Sequence, residues 1–460
     1  MATRIRRWPL APRNRPQPAE LLPLRPGSHR LDTTQPPPVT MEYPEIMAPA
    51  GDFASLTAAL QGGANSVFFG VGKLNMRSGS NINFTLEDLP QVVAQCHQSH
   101  AKAYLTANTI VYNSELDELQ QLLQAAAKAG VDAVIASDQA AIVAARANGL
   151  PVHISTQLSI SNTLALQFYS QWADVVVLAR ELTLEQIGEI ARDIERQRIT
   201  GPSGKLVRIE AFAHGALCMA ISGKCYLSLH DAHRSANRGA CVQICRRSYT
   251  LTDTETGNAI EVDNQYLMSP KDLCTIGIID RMIGAGISVL KIEGRARSPE
   301  YVRTVTECYR EAAQACVRGT YTPKQVSQWK GRLRSVFNRG FWEGYYLGQK
   351  MGEWSVHYGS AATERKQSLG VITNYFRRAR VAEIKVEAAE LHEGAQLYII
   401  GPTTGVITLE ASGMRVDDVE VPCVAKGQTC SLRVRQLVRR GDKVFLRIPA
   451  AETPVAPAAR

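Results

Sequence analysis

Four of the ten cysteines lie in one stretch, residues 210–246, with the spacing C-x6-C-x15-C-x3-C. They are Cys218, Cys225, Cys241 and Cys245. Thiolates bind soft metal ions and iron–sulfur clusters, and only the second pair is as close as a zinc site usually requires. The wide first pair favours a cluster that is held by one long, folded-back loop. Four buried thiols without a metal are the alternative, because cysteine is also a common core residue.

The elements that must position this loop follow a regular alternation of short β-rich runs and amphipathic helical patterns. Eight runs predict strands, namely EIMAPAG, SVFFGVG, KAYLTANT, AVIASD, VHISTQL, VVVLARELT, RIEAFAHG and SVLKIEGR. Helical patterns such as LTLEQIGEIARDI lie between most of them. Eight β–α units predict an α/β fold of the (β/α)8 TIM-like barrel type rather than an open doubly wound sheet. No G-x-G-x-x-G follows the first strand, which also weighs against a dinucleotide-binding fold.

Polar residues follow these predicted strands, at the end of a (β/α)8 barrel where catalytic groups belong. They are Asn108, Asp138, Gln157, Arg180, Glu181, His214, Glu293 and Arg295, and Arg77 follows the second strand. Guanidinium groups bind carboxylates and phosphates bidentately, so Arg77, Arg180 and Arg295 predict an anionic substrate. We expect Asn108 and Gln157 to contact the same substrate.

The candidate catalytic residues are His214, Glu293 and Arg180. His214 precedes Cys218 by four residues, and the sequence leaves open whether it is an acid/base or a structural histidine. Asp138 and Glu181 either join the site or cap the helices that follow them.

The sequence pattern changes near residue 368, where short alternating strands and turns replace the β–α units. The runs are LGVITNYF, RVAEIKV, AQLYIIG, GVITLEA, CSLRVRQ and DKVFLRI, and they predict a small C-terminal β-barrel. It is locally basic through Arg377, Arg378, Arg380, Arg433, Arg435, Arg439 and Arg440. These arginines predict either contact with RNA or a solvated surface. The expected organisation is a disordered tail over 1–40, a (β/α)8 barrel over 41–350, a linker over 351–367, the β-barrel over 368–450 and a disordered tail over 451–460. Alternatively, the protein starts at Met41 and has no such N-terminal tail.

Composition sets the remaining bounds. The chain has 460 residues, 45% of them hydrophobic, and a formal net charge of +9, which is a modest indication of a polyanionic partner. No run of about 18 apolar residues is present, so we expect no membrane span. Ten cysteines without a signal peptide predict a reducing compartment and a cytoplasmic protein.

The cysteine stretch resembles the signature of the U32 peptidase family, E-x-F-x-x-G-[SA]-[LIVM]-C-x4-G-x-C-x-[LIVM]-S. The matching residues are Glu210, Phe212, Gly215, Ala216, Leu217, Cys218, Gly223, Cys225, Leu227 and Ser228. The segments NRGAC-x-x-x-C, SPKDLC and LKIEGR-x-[RK]-SPEY are similar to the same family, and the resemblance covers about residues 45–350.

This resemblance implies a [4Fe–4S] cluster on Cys218, Cys225, Cys241 and Cys245. Some members use a cysteine at the position of Cys274 instead of Cys245, so Cys274 is the alternate fourth ligand. The resemblance is strongest to the tRNA hydroxylation proteins of the family. It implies prephenate-dependent 5-hydroxylation of the wobble uridine of tRNA, and it leaves a partner subunit open.

Two other functions compete with RNA hydroxylation. The family name implies a peptidase, although the sequence contains neither H-E-x-x-H nor G-x-S-x-G. A Cys–His pair stays open, but a nucleophilic Cys218 would compete with cluster ligation. The third function is a non-catalytic RNA-binding protein with a structural cluster.

Overall fold

The computed structural model describes residues 44–79, 83–247, 250–252, 254–257, 259–261, 269–349, 353–355 and 359–450. All of them belong to one compact unit, Glu42–Arg460. The predicted tails over 1–40 and 451–460 lie outside the described residues. None of the helices in the described ranges is both long and apolar enough to cross a membrane.

Eight parallel strands close into a barrel. The first seven are β1 (Glu45–Ala50), β2 (Ser66–Gly70), β3 (Lys102–Ala107), β4 (Ala133–Ala136), β5 (Val152–Ile154), β6 (Val175–Val177) and β7 (Arg208–Gly215). The eighth barrel strand is β11 (Ile287–Ile292). Between β7 and β11 the chain forms β8 (Thr250–Thr252), β9 (Ala259–Glu261) and β10 (Asp272–Cys274). Neighbours from β1 to β7 pair in chain order, and β11 pairs with both β7 and β1. The eight predicted barrel strands and the TIM-like fold are therefore confirmed.

Helices surround the barrel because each carries one apolar face. They are α1 (Phe53–Gln61), α2 (Leu89–Gln98), α3 (Leu116–Ala129), α4 (Gln139–Ala147), α5 (Thr163–Ser170), α6 (Leu184–Gln197), α7 (Leu227–Ala232), α8 (Ile279–Gly284), α9 (Pro299–Val317) and α10 (Pro323–Ser335). In α3 the buried positions are Leu119, Leu122, Leu123 and Ala126, the spacing of one helix face. Asp138 caps α4 by accepting a hydrogen bond from the backbone N–H of Ala140. Of the two roles that the sequence leaves open for Asp138, the structure thus shows helix capping.

The inside of the barrel combines apolar and ionised side chains. A separate inner cluster contains Met47, Phe68, Tyr104, Ala133, Ile135, Val175 and Val289. At the amino-terminal end of the strands, the Glu45 carboxylate accepts hydrogen bonds from Arg208 at 2.9 Å and Tyr104 at 2.8 Å. The outward-facing residues of the strands pack on the helices. The polar side chains of the strands therefore lie inside the barrel and at its mouth.

The connection from β7 to β11 is the longest loop of the barrel and carries the four clustered cysteines. It contains α7, the hairpin of β8 and β9, and β10, which pairs antiparallel with the end of β7. Strand β12 (Phe341–Trp342) pairs with β10 and extends the sheet after the barrel is complete. The loop therefore starts at the carboxyl end of a barrel strand, as the sequence predicts.

The C-terminal region is an antiparallel sheet. Its strands are β13 (Glu364–Phe376), β14 (Val381–Val386), β15 (Leu391–His392), β16 (Gln396–Gly401), β17 (Gly405–Glu410), β18 (Arg415–Val416), β19 (Val419–Glu420), β20 (Cys423–Val424), β21 (Thr429–Arg433) and β22 (Lys443–Pro449). Eight of them form one sheet in the order β17-β16-β22-β13-β14-β21-β18-β19. Ile407 from one end and Val416 near the other belong to the same core, so the sheet curves around it. Strand β13 begins inside the predicted linker, and the domain boundaries stay a prediction.

The sheet packs on the barrel through α1 and α9. The Gln61 side chain donates to the Thr404 carbonyl at 2.8 Å and accepts from the Val406 N–H at 2.9 Å. Tyr398, Ile400 and Val406 bury apolar surface against Ala58 of α1. These contacts fix the C-terminal sheet to the flank of the barrel rather than over its mouth.

Candidate active site at the barrel mouth

One cavity at the carboxyl ends of the strands collects most of the predicted site residues. Its lining includes Arg77, Asn108, Gln157, Arg180, Cys218, Cys225, Cys241, Cys245, Glu293 and Arg295. These side chains come from the ends of five barrel strands and from the cysteine loop, so residues far apart in the chain face one another. The predicted or candidate residues that do not line it are His214, Cys274, Asp138 and Glu181.

The four thiols of the loop form one wall of this cavity. Cys218 and Cys241 are exposed, and Cys225 and Cys245 are half-buried. Two hydrogen bonds reach the Cys241 sulfur, one from the backbone N–H of Gln243 at 3.4 Å and one from the Ser228 hydroxyl at 3.6 Å. Hydrogen bonds of this kind stabilise sulfur ligands of iron–sulfur clusters.

The four thiols are not gathered tightly enough for a single ion. No three of these sulfurs lie within 4.8 Å of one another, a test that covers all four cysteines because all are described. A zinc ion holds its sulfurs about 2.3 Å from the metal, which requires a tighter group.

Two glycines let the loop approach the barrel closely enough to hold the thiols there. Gly223 has φ +75°, and a Cβ on it would lie 1.9 Å from the Gln157 side-chain oxygen. Gly239 has φ +74°, and its Cβ would lie 2.2 Å from the Asn75 carbonyl oxygen. Both positions therefore exclude a side chain by sterics and by backbone conformation.

Cys274 lies away from the other thiols. It is in β10, is 2% exposed, and its sulfur is 4.0 Å from the Tyr309 hydroxyl on α9. Burial raises the pKa of the Cys274 thiol to about 11. The geometry therefore brings Cys245, rather than Cys274, to Cys218, Cys225 and Cys241.

Glu293 and Arg77 form an ion pair within the cavity lining. The Glu293 Oε1 and Arg77 Nη2 atoms lie 2.6 Å apart. Burial by itself would raise the pKa of Glu293, but Arg77 and Arg295 reverse this effect and lower it to about 2. Glu293 is therefore a fixed anion at neutral pH, and its geometry suits orientation of Arg77 better than donation of a proton.

Arg180 and Arg295 retain unused hydrogen-bond donors. Arg295 is 7% exposed and donates through Nη1 to the Thr106 hydroxyl at 2.8 Å and the Asn75 side-chain oxygen at 3.3 Å. Within the described part of the chain, the Nε atoms of Arg180 and Arg295 are buried without a hydrogen-bond partner. Burial lowers the pKa of Arg295 to about 10, so its guanidinium stays charged at neutral pH. Buried donors of this kind are satisfied by an anionic ligand.

Asn108 and Gln157 have mainly positioning contacts. The Asn108 side-chain oxygen accepts from the Met76 N–H at 3.1 Å, next to Arg77, and its amide lies 3.4 Å from the Ser155 hydroxyl. Gln157 packs against Gly223 of the cysteine loop. Both residues line the cavity and connect its two walls.

His214 is placed where it does not contact the cavity, which corrects the expectation of a catalytic contact. Its ring is 1% exposed and packs against the rings of Tyr301, Tyr309 and Phe341. Nδ1 lies 3.3 Å from the Tyr309 hydroxyl, which itself donates to the Ala213 carbonyl. Burial, together with the nearby charge of Arg297, lowers the pKa of His214 to about 3.

This histidine predicts a pH dependence of stability. The folded chain keeps His214 neutral, whereas the unfolded chain binds a proton below its ordinary pKa of 6.5. The stabilisation is complete above pH 6.5 and is lost progressively down to about pH 3. Between pH 7 and pH 5 we expect His214 to lower the free energy of unfolding by about 2 kcal/mol. Urea unfolding of wild type and His214→Gln at both pH values measures the difference, and equal pH dependence of the two proteins would contradict the prediction.

Lys291 and Glu210 are functional candidates that the site prediction missed. Lys291 lines the cavity, and its Nζ atom lies 2.7 Å from Oε1 of the fully buried Glu210. Burial opposes ionisation of Glu210, but Lys291 and His153 nevertheless lower its pKa. The sequence does carry a signal, because each is a charged residue between apolar neighbours in a predicted strand. Arg246 was also missed, and it ties the loop together by donating to the Leu217 carbonyl at 2.7 Å.

With this geometry in place, comparison with known proteins shows the family. The sequence model of peptidase family U32 matches residues 51–355, about two thirds of the chain. The chain belongs to peptidase family U32. The matched range includes every barrel strand except β1 and all residues of the cavity lining.

U32 relatives with different names align over much of the chain. A collagenase of Porphyromonas gingivalis (strain ATCC BAA-308 / W83) is 52% identical over 401 residues, 87% of this chain and 97% of that protein. A tRNA hydroxylation protein of Bacillus subtilis (strain 168) is 34% identical over 371 residues, 79% of this chain and 85% of that protein. A 23S rRNA 5-hydroxycytidine synthase of Escherichia coli (strain K12) is 35% identical over 274 residues, 59% of this chain and 40% of that protein.

Proposed function

We propose that this U32 protein is an RNA hydroxylase that acts on the wobble uridine of tRNA, forms 5-hydroxyuridine and depends on prephenate. Relatives named for tRNA and rRNA hydroxylation support the reaction class. The observation that carries the proposal is a single cavity lined by four thiols and by Arg180 and Arg295, whose Nε atoms are buried without a hydrogen-bond partner among the described residues.

The thiols are the proposed cluster ligands. We place a [4Fe–4S] cluster on Cys218, Cys225, Cys241 and Cys245, and when bound it supplies one-electron redox chemistry. The guanidinium groups of Arg77 and Arg246 lie near these sulfurs and compensate the negative charge of the thiolates.

The remaining cavity residues have separate tasks in this proposal. Arg180 and Arg295 bind the carboxylates of a small dicarboxylate such as prephenate through bidentate, charge-assisted hydrogen bonds. Glu293 holds Arg77 against the cavity wall by the 2.6 Å ion pair. Residues of the cysteine loop line the same cavity, and burial strengthens the electrostatic interactions of Glu293 and Arg295 there.

The rim of the cavity has the chemistry of a single-stranded nucleic acid contact. Among the described residues of the cysteine loop, the exposed large apolar side chains are Met219, Ile221, Tyr226 and Leu229, and Tyr226 is 75% exposed. The basic residues Lys224, Arg234 and Arg247 lie on the same loop. Aromatic faces stack on unpaired bases and basic side chains bind the phosphates between them. A base can reach the cavity only when it is unpaired, as in an anticodon loop.

A collagenase or other peptidase is the second candidate, favoured by the name of the 52% identical relative. A cysteine peptidase needs a histidine beside the nucleophile. No histidine is among the described residues that line the cavity, and His214 is buried behind it. The single lining carboxylate in that set, Glu293, is held by Arg77. The site therefore favours the hydroxylase.

The two functions are separated by one set of assays on anaerobically prepared protein. We expect tRNA incubated with wild type and prephenate to gain 5-hydroxyuridine, measured by mass spectrometry of nucleosides, and gelatin to stay intact. Arg180→Met should lower the rate by roughly 10- to 100-fold, because it removes a charge-assisted contact to the carboxylate. Arg192→Met on the exposed face of α6 is the matched control and should act as wild type. If wild type cleaves gelatin, Cys218→Ala does not, and wild type forms no modified uridine, the protein is a peptidase and not a hydroxylase.

A further inference from the structure

Three cations and two aromatic rings alternate along the floor of the cavity. The Phe68 ring centroid lies 4.6 Å from Lys291 Nζ and 5.6 Å from the Arg295 guanidinium carbon. The Phe212 ring centroid lies 5.6 Å from Lys291 Nζ and 5.6 Å from the Arg180 guanidinium carbon. Lys291 is therefore between the two rings, with one arginine beyond each of them.

The alternation of cations and rings separates the positive charges of Lys291, Arg180 and Arg295 from one another without neutralising them. A ring face attracts a cation by about 0.5–2 kcal/mol but adds no negative charge. Two carboxylates are present, and each is already paired, Glu210 with Lys291 and Glu293 with Arg77. Among the described lining residues near this floor, Arg180 and Arg295 thus remain as two positive charges without a paired carboxylate. A ligand with two negative charges balances them.

Lys291 also has donors to offer. An ammonium group carries three N–H bonds, and the hydrogen bond to Glu210 is the one that Lys291 makes to the described part of the protein. Lys291 is 5% exposed and lines the cavity, so its other donors are directed to the ligand space. The Glu210 carboxylate, 2.7 Å away, fixes the position of Nζ.

We propose that Lys291 is a ligand-binding residue of a floor subsite, formed by Lys291, Arg180, Arg295, Phe68 and Phe212, that takes a small dianionic carboxylate with an apolar carbon frame. Its anionic groups contact the three cations, and its carbon frame lies on the two rings. The proposal rests on the proposed function only for the choice of prephenate as the probe.

Calorimetric binding of prephenate to the full-length protein tests the subsite. Lys291→Met alone leaves Glu210 unpaired, so the informative protein is the double variant Lys291→Met/Glu210→Leu, with its fold checked by circular dichroism. We expect the Kd of prephenate to rise at least tenfold in the double variant, because a charged donor is lost. Benzoate, with one carboxylate and a ring, should bind wild type more weakly than prephenate does.

Lys102→Met is the matched control, because Lys102 faces Glu45 at 3.7 Å at the opposite end of the barrel. It should bind prephenate as wild type does. Equal affinity of wild type and the folded double variant, or no binding of prephenate to wild type, would overturn the subsite. The tRNA assay is run separately, so a wild type that binds prephenate through Lys291 but leaves tRNA unmodified would keep the subsite and refute the hydroxylase.

Discussion

Replacing Lys291 by methionine alone is expected to lower the free energy of unfolding by about 3–5 kcal/mol. The change removes the partner of a carboxylate that is completely buried, since Glu210 is 0% exposed and its Oε1 atom lies 2.7 Å from Nζ. The other Glu210 oxygen has no hydrogen-bond partner among the described residues, because the Nδ1 atom of His153 lies 3.7 Å away. An unpaired charge in the barrel interior is therefore the cause of the loss. Urea unfolding followed by circular dichroism at neutral pH measures it.

The double variant Lys291→Met/Glu210→Leu separates this cause from simple loss of packing. Replacing both members of a buried ion pair by apolar residues of similar volume is often neutral in stability. We expect the double variant to recover most of what the single variant loses. If the two variants are equally destabilised, the pairing of Lys291 with Glu210 is not the source of the effect.

Cys245→Ala is expected to abolish iron binding, whereas Cys274→Ala should keep it. Cys245 lines the same cavity as Cys218, Cys225 and Cys241, but Cys274 belongs to β10 beside β7, and its sulfur lies against Tyr309 outside the cavity lining. Wild type purified anaerobically should contain about four irons and four acid-labile sulfides per chain, as a [4Fe–4S] cluster does. Iron and sulfide analysis of the three proteins gives the fourth ligand directly.

Cys316→Ala on α9 is the control for loss of a thiol elsewhere, because Cys316 is a half-buried residue of the helix that packs outside the barrel. It should retain the iron content of wild type. If Cys245→Ala retains iron and Cys274→Ala loses it, the fourth ligand is Cys274 rather than Cys245. Absence of iron from anaerobic wild type would refute the cluster itself.

The barrel could be predicted from the sequence because its signal is local. Parallel strands that are buried on both faces appear as short continuous apolar runs, and all six residues of β1 and all five of β2 are buried. Amphipathic helices between them have the 3.6-residue period, as in α6. The position of Cys218 just after the seventh strand then placed the cysteine loop at the mouth. The same reasoning gave Arg77, Arg180 and Arg295 as cavity residues, since the ends of parallel strands meet.

Side-chain direction and pairing were decided by the tertiary structure. The register of β7 against β11 shifts between the pairs Phe212 with Lys291 and His214 with Ile292, so strict alternation does not hold there. His214 consequently lies among aromatic rings instead of facing the cavity. The partners Glu210 and Lys291 are 81 residues apart, and no local pattern reveals such a contact.

By itself, the sequence of this U32 protein determined the (β/α)8 barrel, the strands of the C-terminal region and the stretch that carries the thiols, because periodicity and spacing act over neighbouring residues. The tertiary structure decided which thiol joins the other three, which carboxylates are neutralised and which arginines keep unused donors. Those properties depend on burial and on distances between residues that are remote in the chain, and the strength of an electrostatic interaction depends on both.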